Sequence, residues 1–587
     1  MDNKTTNILA SLLLVIIFCL GFFSVRGDST TMDELAHIPA GYSYITQQDM
    51  RLNPEHPPLL KDLAGLSVLI GSKINQTPIN FPSEHKSWQE DLNGQWDFGR
   101  EFLYRSGNDA NMIVSWARLP MILIMVLLGF YVFKWAREIY GNSAGLIALF
   151  LYSFSPTFLA HGRYVTTDVG AAAAFFIAIY YLVQWLKETN TKNLIFAGIA
   201  FGLALLTKFS LVLLIPFFIL LVFLWGILKK KKRFFKLIKY LTGLLLIGII
   251  GMALIWPVYQ FHVLNYPVER QLSDTTEILS TYGNRLLTDP VIWMSDKPFL
   301  RPYGQFFLGV LMVIQRAVGG NTTYFLGEVS NLGWKDYFPI VFAIKVPLAL
   351  FGFILIALFY SAYQVKEAIW KKTFKKLFYW IKKHPDELAL LSFFFVYWGT
   401  TLRTNLNIGV RHILPTFPLI YVLVSGSIGK ILKNNQTWRL ILLLLLAWYG
   451  FSAIQVYPHF LTYFNESVGG PENGHQYVVD SNLDWGQDLR RLSQYVEENK
   501  IEKIYLDYFG GDSPEYRLGE KYSSWWGTRD PNDLSPGDWL AVSVSFFQGG
   551  QGCPIPSLEG EFGYYRWLNN YQPTKIIGNS IFIYQIK

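Results

Sequence analysis

The run ILASLLLVIIFCLGFFSV, Ile8 to Val25, gives way almost at once to TTMDELAH, Thr30 to His37. An apolar stretch of this length approaches the roughly 20 residues a helix needs to cross the hydrocarbon core. Asp33 and Glu34 come so soon after it that they must lie against the membrane face. A cleaved leader would read similarly, but Val25-Arg26-Gly27-Asp28 is a poor cleavage site, so the run is taken as a span. Ten further apolar runs are present, at about residues 112–133, 143–160, 168–186, 193–207, 209–228, 237–258, 339–362, 387–402, 413–429 and 438–456. Eleven spans predict a polytopic α-helical membrane protein.

Composition agrees. Of 587 residues, 51% are hydrophobic, 17% aromatic and 16% charged, against about 25% charged in soluble domains. Soluble enzymes, disordered chains and collagens are excluded. The formal charge of +8 is spread in short clusters between apolar runs, so it reads as a set of topology signals and not as a nucleic-acid surface. Cys19 and Cys553 are too few and too far apart for a disulfide framework or a zinc ribbon.

Basic loops between spans mark the cytoplasm. The richest are 229–239 (Lys229, Lys230, Lys231, Lys232, Arg233, Lys236, Lys239) and 366–383 (Lys366, Lys371, Lys372, Lys375, Lys376, Lys382, Lys383). With eleven spans and a cytoplasmic N-terminus, both fall inside, as do Lys134 with Arg137, Lys187 with Lys192, and Lys430, Lys433 and Arg439. The chain then divides into a membrane domain, 1–456, with extracytoplasmic loops 26–111 and 259–338, and an extracytoplasmic α/β domain, 457–587. In that tail, Leu489 to Asn499 has helical spacing, Ile504 to Phe509 and Trp539 to Phe546 read as buried strands, and Lys575 to Ile586 reads as a hairpin about Gly578-Asn579.

Ionisable groups within or against spans are costly and are functional candidates. Arg118, His161, Arg163, Asp168, Lys208, Lys345, Arg403, Arg411 and His412 all fall at the outer ends of their runs. The first loop sets acids beside this cationic shelf: Asp33, Glu34 and His37, then Asn53-Pro54-Glu55-His56-Pro57-Pro58-Leu59-Leu60-Lys61. Thr31 to Glu34 is also a capping-box pattern, and the two prolines would end one helix and start another. Cations and a carboxylate at one membrane face suit a lipid-linked phosphate whose charge must be held as it leaves, while the carboxylate deprotonates an incoming hydroxyl or amine. Residues Asp33, His37, Glu55, His56, His161 and His412 are chemically suited to a divalent cation, although no HExxH pattern is present.

Asp33-Glu34-x-x-His37, the tyrosines Tyr42 and Tyr44, and His56-Pro57-Pro58-Leu59-x-Lys61 together resemble the first luminal loop of the protein O-mannosyltransferases, glycosyltransferase family 39. Gly162-Arg163-Tyr164-Val165-Thr166-Thr167-Asp168 and Leu206-Thr207-Lys208 are similar to bacterial members and to the aminoarabinose transferases that modify lipid A. The resemblance covers about residues 8–456. It implies a GT-C fold, a polyprenyl-phosphate sugar donor, and inversion in one displacement onto a protein, lipid or glycan acceptor. It also implies Asp33 as catalytic base, Glu34 as its acidic neighbour, Asp168 as second acid and Lys208 as a ligand of the lipid phosphate. Arg118, Lys345, Arg411 and His412 join the phosphate site on depth alone, with His37, Glu55, His56, His161 and Arg163 as support.

The chain departs from the family in two places. Residues 259–338 are too short and too unlike a β-trefoil to be a MIR domain, and the tail with Asp480-Ser481-Asn482-Leu483-Asp484-Trp485-Gly486-Gln487-Asp488 has no counterpart. Those acids suit acceptor or cation binding, or a helix cap at Asp484. Two other classes stay open on the sequence. A flippase would place polar residues at mid-membrane and show internal repeats; a membrane hydrolase would require the metal.

Overall fold

The structure, a computed structural model, describes residues 2–228, 233–370, 382–434, 436–556, 558 and 560–587. The chain is an α-helical membrane protein. Six described helical segments are long and apolar enough to cross a bilayer: Asn3–Ser24, Ala110–Tyr140, Asp168–Lys187, Phe209–Gly226, Phe234–His262 and Val410–Leu432. Tyr337–Lys345 and Leu348–Tyr363 make a seventh if that pair, bent by 106°, is one span. The bend falls at Val346-Pro347, where proline lacks the N–H needed to continue the ladder. Each of the eleven apolar runs is helical, but 143–160 splits into Asn142–Ser153 and Pro156–His161. Asn142–Ser153, Thr191–Leu205 and Trp438–Ile454 are shorter apolar helices. The basic clusters Lys229 to Lys232 and Lys371 to Lys376 lie outside the described residues.

Burial ranks these helices. In Asp168–Lys187, 78% of the most apolar stretch is buried inside the protein, against 22% in Asn3–Ser24. The helix that starts with Asp168 is therefore central and the first helix peripheral, its outer face made for lipid.

The first loop folds as two helices, α2 (Met32–Gln47) and α3 (Leu59–Asn75), after α1 (Asn3–Ser24). They touch backbone to backbone: a Cβ built on Gly41 would lie 2.0 Å from the Lys61 carbonyl oxygen, and one on Gly65 2.2 Å from that of Gly41. Between them, buried Lys61 donates to Asn53 Oδ1 (2.7 Å) and to the carbonyls of His56 (2.8 Å) and Asn53 (2.9 Å). This fixes the Asn53 to Pro58 turn.

Residues 259–338 form helices Val268–Ile278, Arg285–Met294 and Arg301–Gly319, then the hairpin β1 (Thr323–Phe325) and β2 (Glu328–Ser330). The tail has a helix, Leu489–Glu498, and strands β3 (Ile504–Asp507), β4 (Tyr522–Ser524), β5 (Trp539–Ser543), β6 (Cys553–Pro554), β7 (Lys575–Ile577) and β8 (Ile581–Gln585). Five of them form a mixed sheet in the order β4-β3-β5-β8-β7. Its β3, β4 and β5 are parallel, and β8 runs antiparallel to β5 and β7. The run Trp539 to Phe546 is strand only to Ser543, where Val544–Gln551 begins as helix. β6 pairs with β2, stitching the tail to the second loop. The tail also joins the first loop: Ser29 N–H donates to the Gln487 carbonyl (2.9 Å) and Met32 N–H to that of Trp485 (3.0 Å).

Candidate active site

Four short stretches at the ends of helices surround a cavity of about 260 Å³. The first turn of α2 supplies Asp33 and, one turn on, His37. The helix Asp168–Lys187 opens with Asp168; Lys208 precedes the span Phe209–Gly226, whose first residues Phe209 and Ser210 also line the cavity. The turn Val410–Thr416 supplies Arg411, His412 and Pro415. Glu55 and His56 enter from the Lys61-braced turn, and Arg316 from helix Arg301–Gly319.

The charges interlock. One nitrogen of Arg411, Nη1, lies 2.6 Å from Asp33 Oδ2 and 3.5 Å from Asp168 Oδ2. The other oxygen of Asp168 accepts from Lys208 Nζ at 2.6 Å. Asp168 is buried, with its side chain 2% exposed, while Asp33 is 25% exposed and open to the cavity. Also on the cavity, Arg316 faces Glu55 across 3.7 Å.

Two histidines stand edge to face beside Asp33, His37 and His56, with ring centroids 5.1 Å apart. Burial, with nearby Lys61, holds the His37 imidazole below its ordinary range against the pull of Asp33. Its Nδ1 lies 2.9 Å from the Val165 carbonyl, which only a ring N–H can satisfy, so Nε2 is the free lone pair. Burial, then His37, Lys61 and Lys208, push His56 well down. Both rings are neutral at pH 7 and add no positive charge.

The cavity gathers Asp33, His37, Glu55, His56, Asp168, Lys208, Arg411 and His412 from the sequence candidates. Five others lie elsewhere. Glu34, one residue from Asp33 and so about 100° around the helix, is fully buried: it accepts from Arg118 Nε (2.8 Å) and Nη2 (2.6 Å), Val165 N–H (3.0 Å) and Thr31 N–H (2.9 Å). Arg118 is thereby spent on Glu34 and on the carbonyls of Asp28 and Ser29. Arg163 pairs with Asp28 (3.1 Å), which Arg491 of the tail also holds (2.6 Å). Burial alone would raise the Asp28 carboxyl, but Arg163, Arg491 and Arg118 keep it below its usual range. Lys345 donates to the carbonyls of Leu461 (2.9 Å) and Asn482 (2.6 Å). His161 is buried against Trp485.

Asp484 does not cap the helix, which starts after Asp488 with no side-chain cap bond; Asp484 accepts from Ser545 N–H (3.0 Å) at the start of helix Val544–Gln551. Among the described residues, no three His, Cys, Asp or Glu side chains are grouped to hold a metal ion. Sequence reasoning missed Gln95, Trp96, Arg316 and Tyr397, which also line the cavity. Arg316 reads in sequence as a loop charge, and only the packing of its helix over the turn at Glu55 brings it in.

Residues 113–256 match the family described as dolichyl-phosphate-mannose-protein mannosyltransferase. That segment includes Asp168 and Lys208 and omits Asp33 and Arg411. Compared by sequence with the curated proteins, the chain matches none. Among solved structures it is similar to the S. cerevisiae protein O-mannosyltransferase Pmt1-Pmt2 complex bound to the sugar donor, at 11% identity over 85% of this chain and 92% of that one, with a TM-score of 0.56. It is also matched to the apo Archaeoglobus fulgidus oligosaccharyltransferase (12% identity, 96% and 72% of the two chains, TM-score 0.47). A third match is apo ArnT from Cupriavidus metallidurans (11%, 99% and 98%, TM-score 0.33). The likeness to the yeast complex is one of fold, and the GT-C fold expected from the first loop is the fold found.

Proposed function

We propose that this membrane glycosyltransferase of the GT-C fold moves a sugar from a polyprenyl-phosphate carrier onto an acceptor hydroxyl or amine outside the cytoplasm, with inversion in a single displacement. One observation carries the reading: Arg411 Nη1 reaches both Asp33 and Asp168, and Asp168 holds Lys208, all on one cavity. A general base and two cations thus stand within the reach of one sugar phosphate. The family match over residues 113–256 supports the same chemistry.

In the step, the acceptor gives its proton to Asp33. Its electron pair forms the bond to the anomeric carbon while the bond from that carbon to the phosphate oxygen breaks. The leaving pair stays on the phosphate, whose charge Lys208 and Arg411 stabilise. An ammonium has three donors, and Asp168 uses one of those of Lys208. Arg411 Nε is buried without a partner among the described residues, a donor that a phosphate oxygen would satisfy. The eleven helical runs, with basic clusters between alternate pairs, support a cytoplasmic N-terminus, an extracytoplasmic cavity in a membrane domain 1–456, and an extracytoplasmic tail domain 457–587.

The test is purified protein incubated with a panel of polyprenyl-phosphate sugars, tracking free polyprenyl phosphate. Release from one donor is expected, and D33N should lower turnover by about 10²- to 10⁴-fold while leaving the thermal midpoint in place. Full turnover in D33N would remove the base from the mechanism.

A further inference from the structure

The tail motif Asp480 to Asp488 reaches the cavity from behind. Trp485 is 1% exposed, and its ring lies 4.4 Å from the guanidinium carbon of Arg411. Its carbonyl accepts from Met32 N–H (3.0 Å), one residue before Asp33, and its own N–H is held by Gln487 Oε1 (2.9 Å). His161 and Tyr164 close the edges of the ring at 5.8 and 6.1 Å between centroids.

The neighbouring residues template the backbone of Arg411. Asn482 Oδ1 accepts from Val410 N–H (2.8 Å), and Ser481 Oγ donates to the Ile408 carbonyl. Gly409, at φ +143°, passes so close that a Cβ there would stand 2.3 Å from Ser481 Oγ. Lys345 anchors the same segment through the Asn482 carbonyl.

Arg411 is otherwise loosely determined. Its stem has several rotatable bonds, its Nε has no partner among the described residues, and Nη1 is shared unequally between two carboxylates. Charge alone would let it collapse onto either acid. A flat aromatic face fixes the plane of a guanidinium as well as attracting its charge.

We propose that Trp485 is a positioning residue, its indole holding the Arg411 guanidinium where one nitrogen spans Asp33 and Asp168, so that the tail completes the catalytic cavity. The transfer chemistry it serves rests on the proposed function; the placement of Arg411 does not.

The test compares W485L and W485F with wild type in the full chain. W485L is expected to lower kcat for polyprenyl phosphate release by about 100-fold, as for a misplaced catalytic group. W485F, which keeps an aromatic face, should lose about tenfold. The donor KM should change less than kcat in both, and the thermal midpoint should not track the loss. W485F carries the kinetics where W485L does not fold. Wild-type kcat in either variant, or equal losses in both, overturns the proposal. Cryo-EM coordinates of either variant are the arm that needs no donor: Arg411 displaced from Asp33 or Asp168 supports it, and Arg411 still spanning both overturns it. A wild type that releases no polyprenyl phosphate counts against the transfer reading and leaves that second arm decisive.

Discussion

Adjacent residues on a helix point to different places, as Asp33 and Glu34 do. The first faces the cavity; the second is locked to Arg118 in the protein interior. E34Q therefore leaves a buried guanidinium without its charge partner and should cost about 3–5 kcal/mol of stability. Thermal unfolding in detergent should show the loss while turnover per folded molecule is kept; normal stability with no turnover would return Glu34 to the chemistry. By the same geometry, K208A should weaken donor binding at least tenfold, since charge-assisted contacts are worth about 1.5–3 kcal/mol; an unchanged donor affinity would exclude the phosphate role.

His161 shows the pH side. Burial first, then Arg411, Lys345 and Arg163, push its imidazole from 6.5 down to about 3 despite Asp168. The unfolded chain takes up a proton near 6.5 that the folded chain refuses until about 3. The stability this residue contributes is whole above 6.5 and is lost as pH falls toward 3. H161Q should flatten the thermal midpoint against pH across that window; an unaltered slope would place the titration elsewhere. The spacing of Asp33 and His37 was enough to put both on one face, whereas the fate of Glu34 depended on Arg118, 84 residues away in sequence.

Apolar runs translate directly into helices, because hydropathy reports what a segment is made of. It does not report where the backbone turns. Pro156 and Pro347 each divide a run into two helices, and Ser155 caps the second piece of the first run. In the tail, Trp539 to Phe546 is apolar but for Ser543 and Ser545, yet strand becomes helix after Ser543, since period alone cannot separate a short buried strand from a buried helical turn. The α2 and α3 pair carries a testable consequence. Replacing an exposed helical glycine by alanine normally gains about 1 kcal/mol. At Gly65 the new methyl would meet the Gly41 backbone, so G65A should lower the thermal midpoint instead. A rise in G65A would mean that the two helices separate easily and that the turn carrying Glu55 and His56 is held by Lys61 alone.

Across the whole chain, the membrane helices and the tail are one construction. Buried Arg163 and Lys345 donate to tail carbonyls at Pro458, Leu461 and Asn482. Truncation after residue 456 strips those acceptors, along with the Trp485 carbonyl that caps α2, so the expected result is loss of monodisperse protein on size exclusion rather than a folded enzyme with a new acceptor. Recovery of a stable truncated chain would show the tail to be an accessory. This coupling was the least legible part of the sequence. The motif Asp480 to Asp488 stood out, but its partners are scattered on both sides of it, from Met32 in the first loop to Val410 and Arg411 upstream and Ser545 and Ser580 downstream, and no local pattern records a contact between Trp485 and Arg411.

The sheet behind that contact is closed by β8, which lies between β5 and β7, and Ser580 just before it donates to Asp488. On the ribosome, Asp33 emerges more than 500 residues before Ser580. The acids and cations of the cavity are complete once Arg411 has been made, yet the strand that closes the sheet follows more than 150 residues later, so the support beneath Trp485 is among the last parts of the chain to be finished.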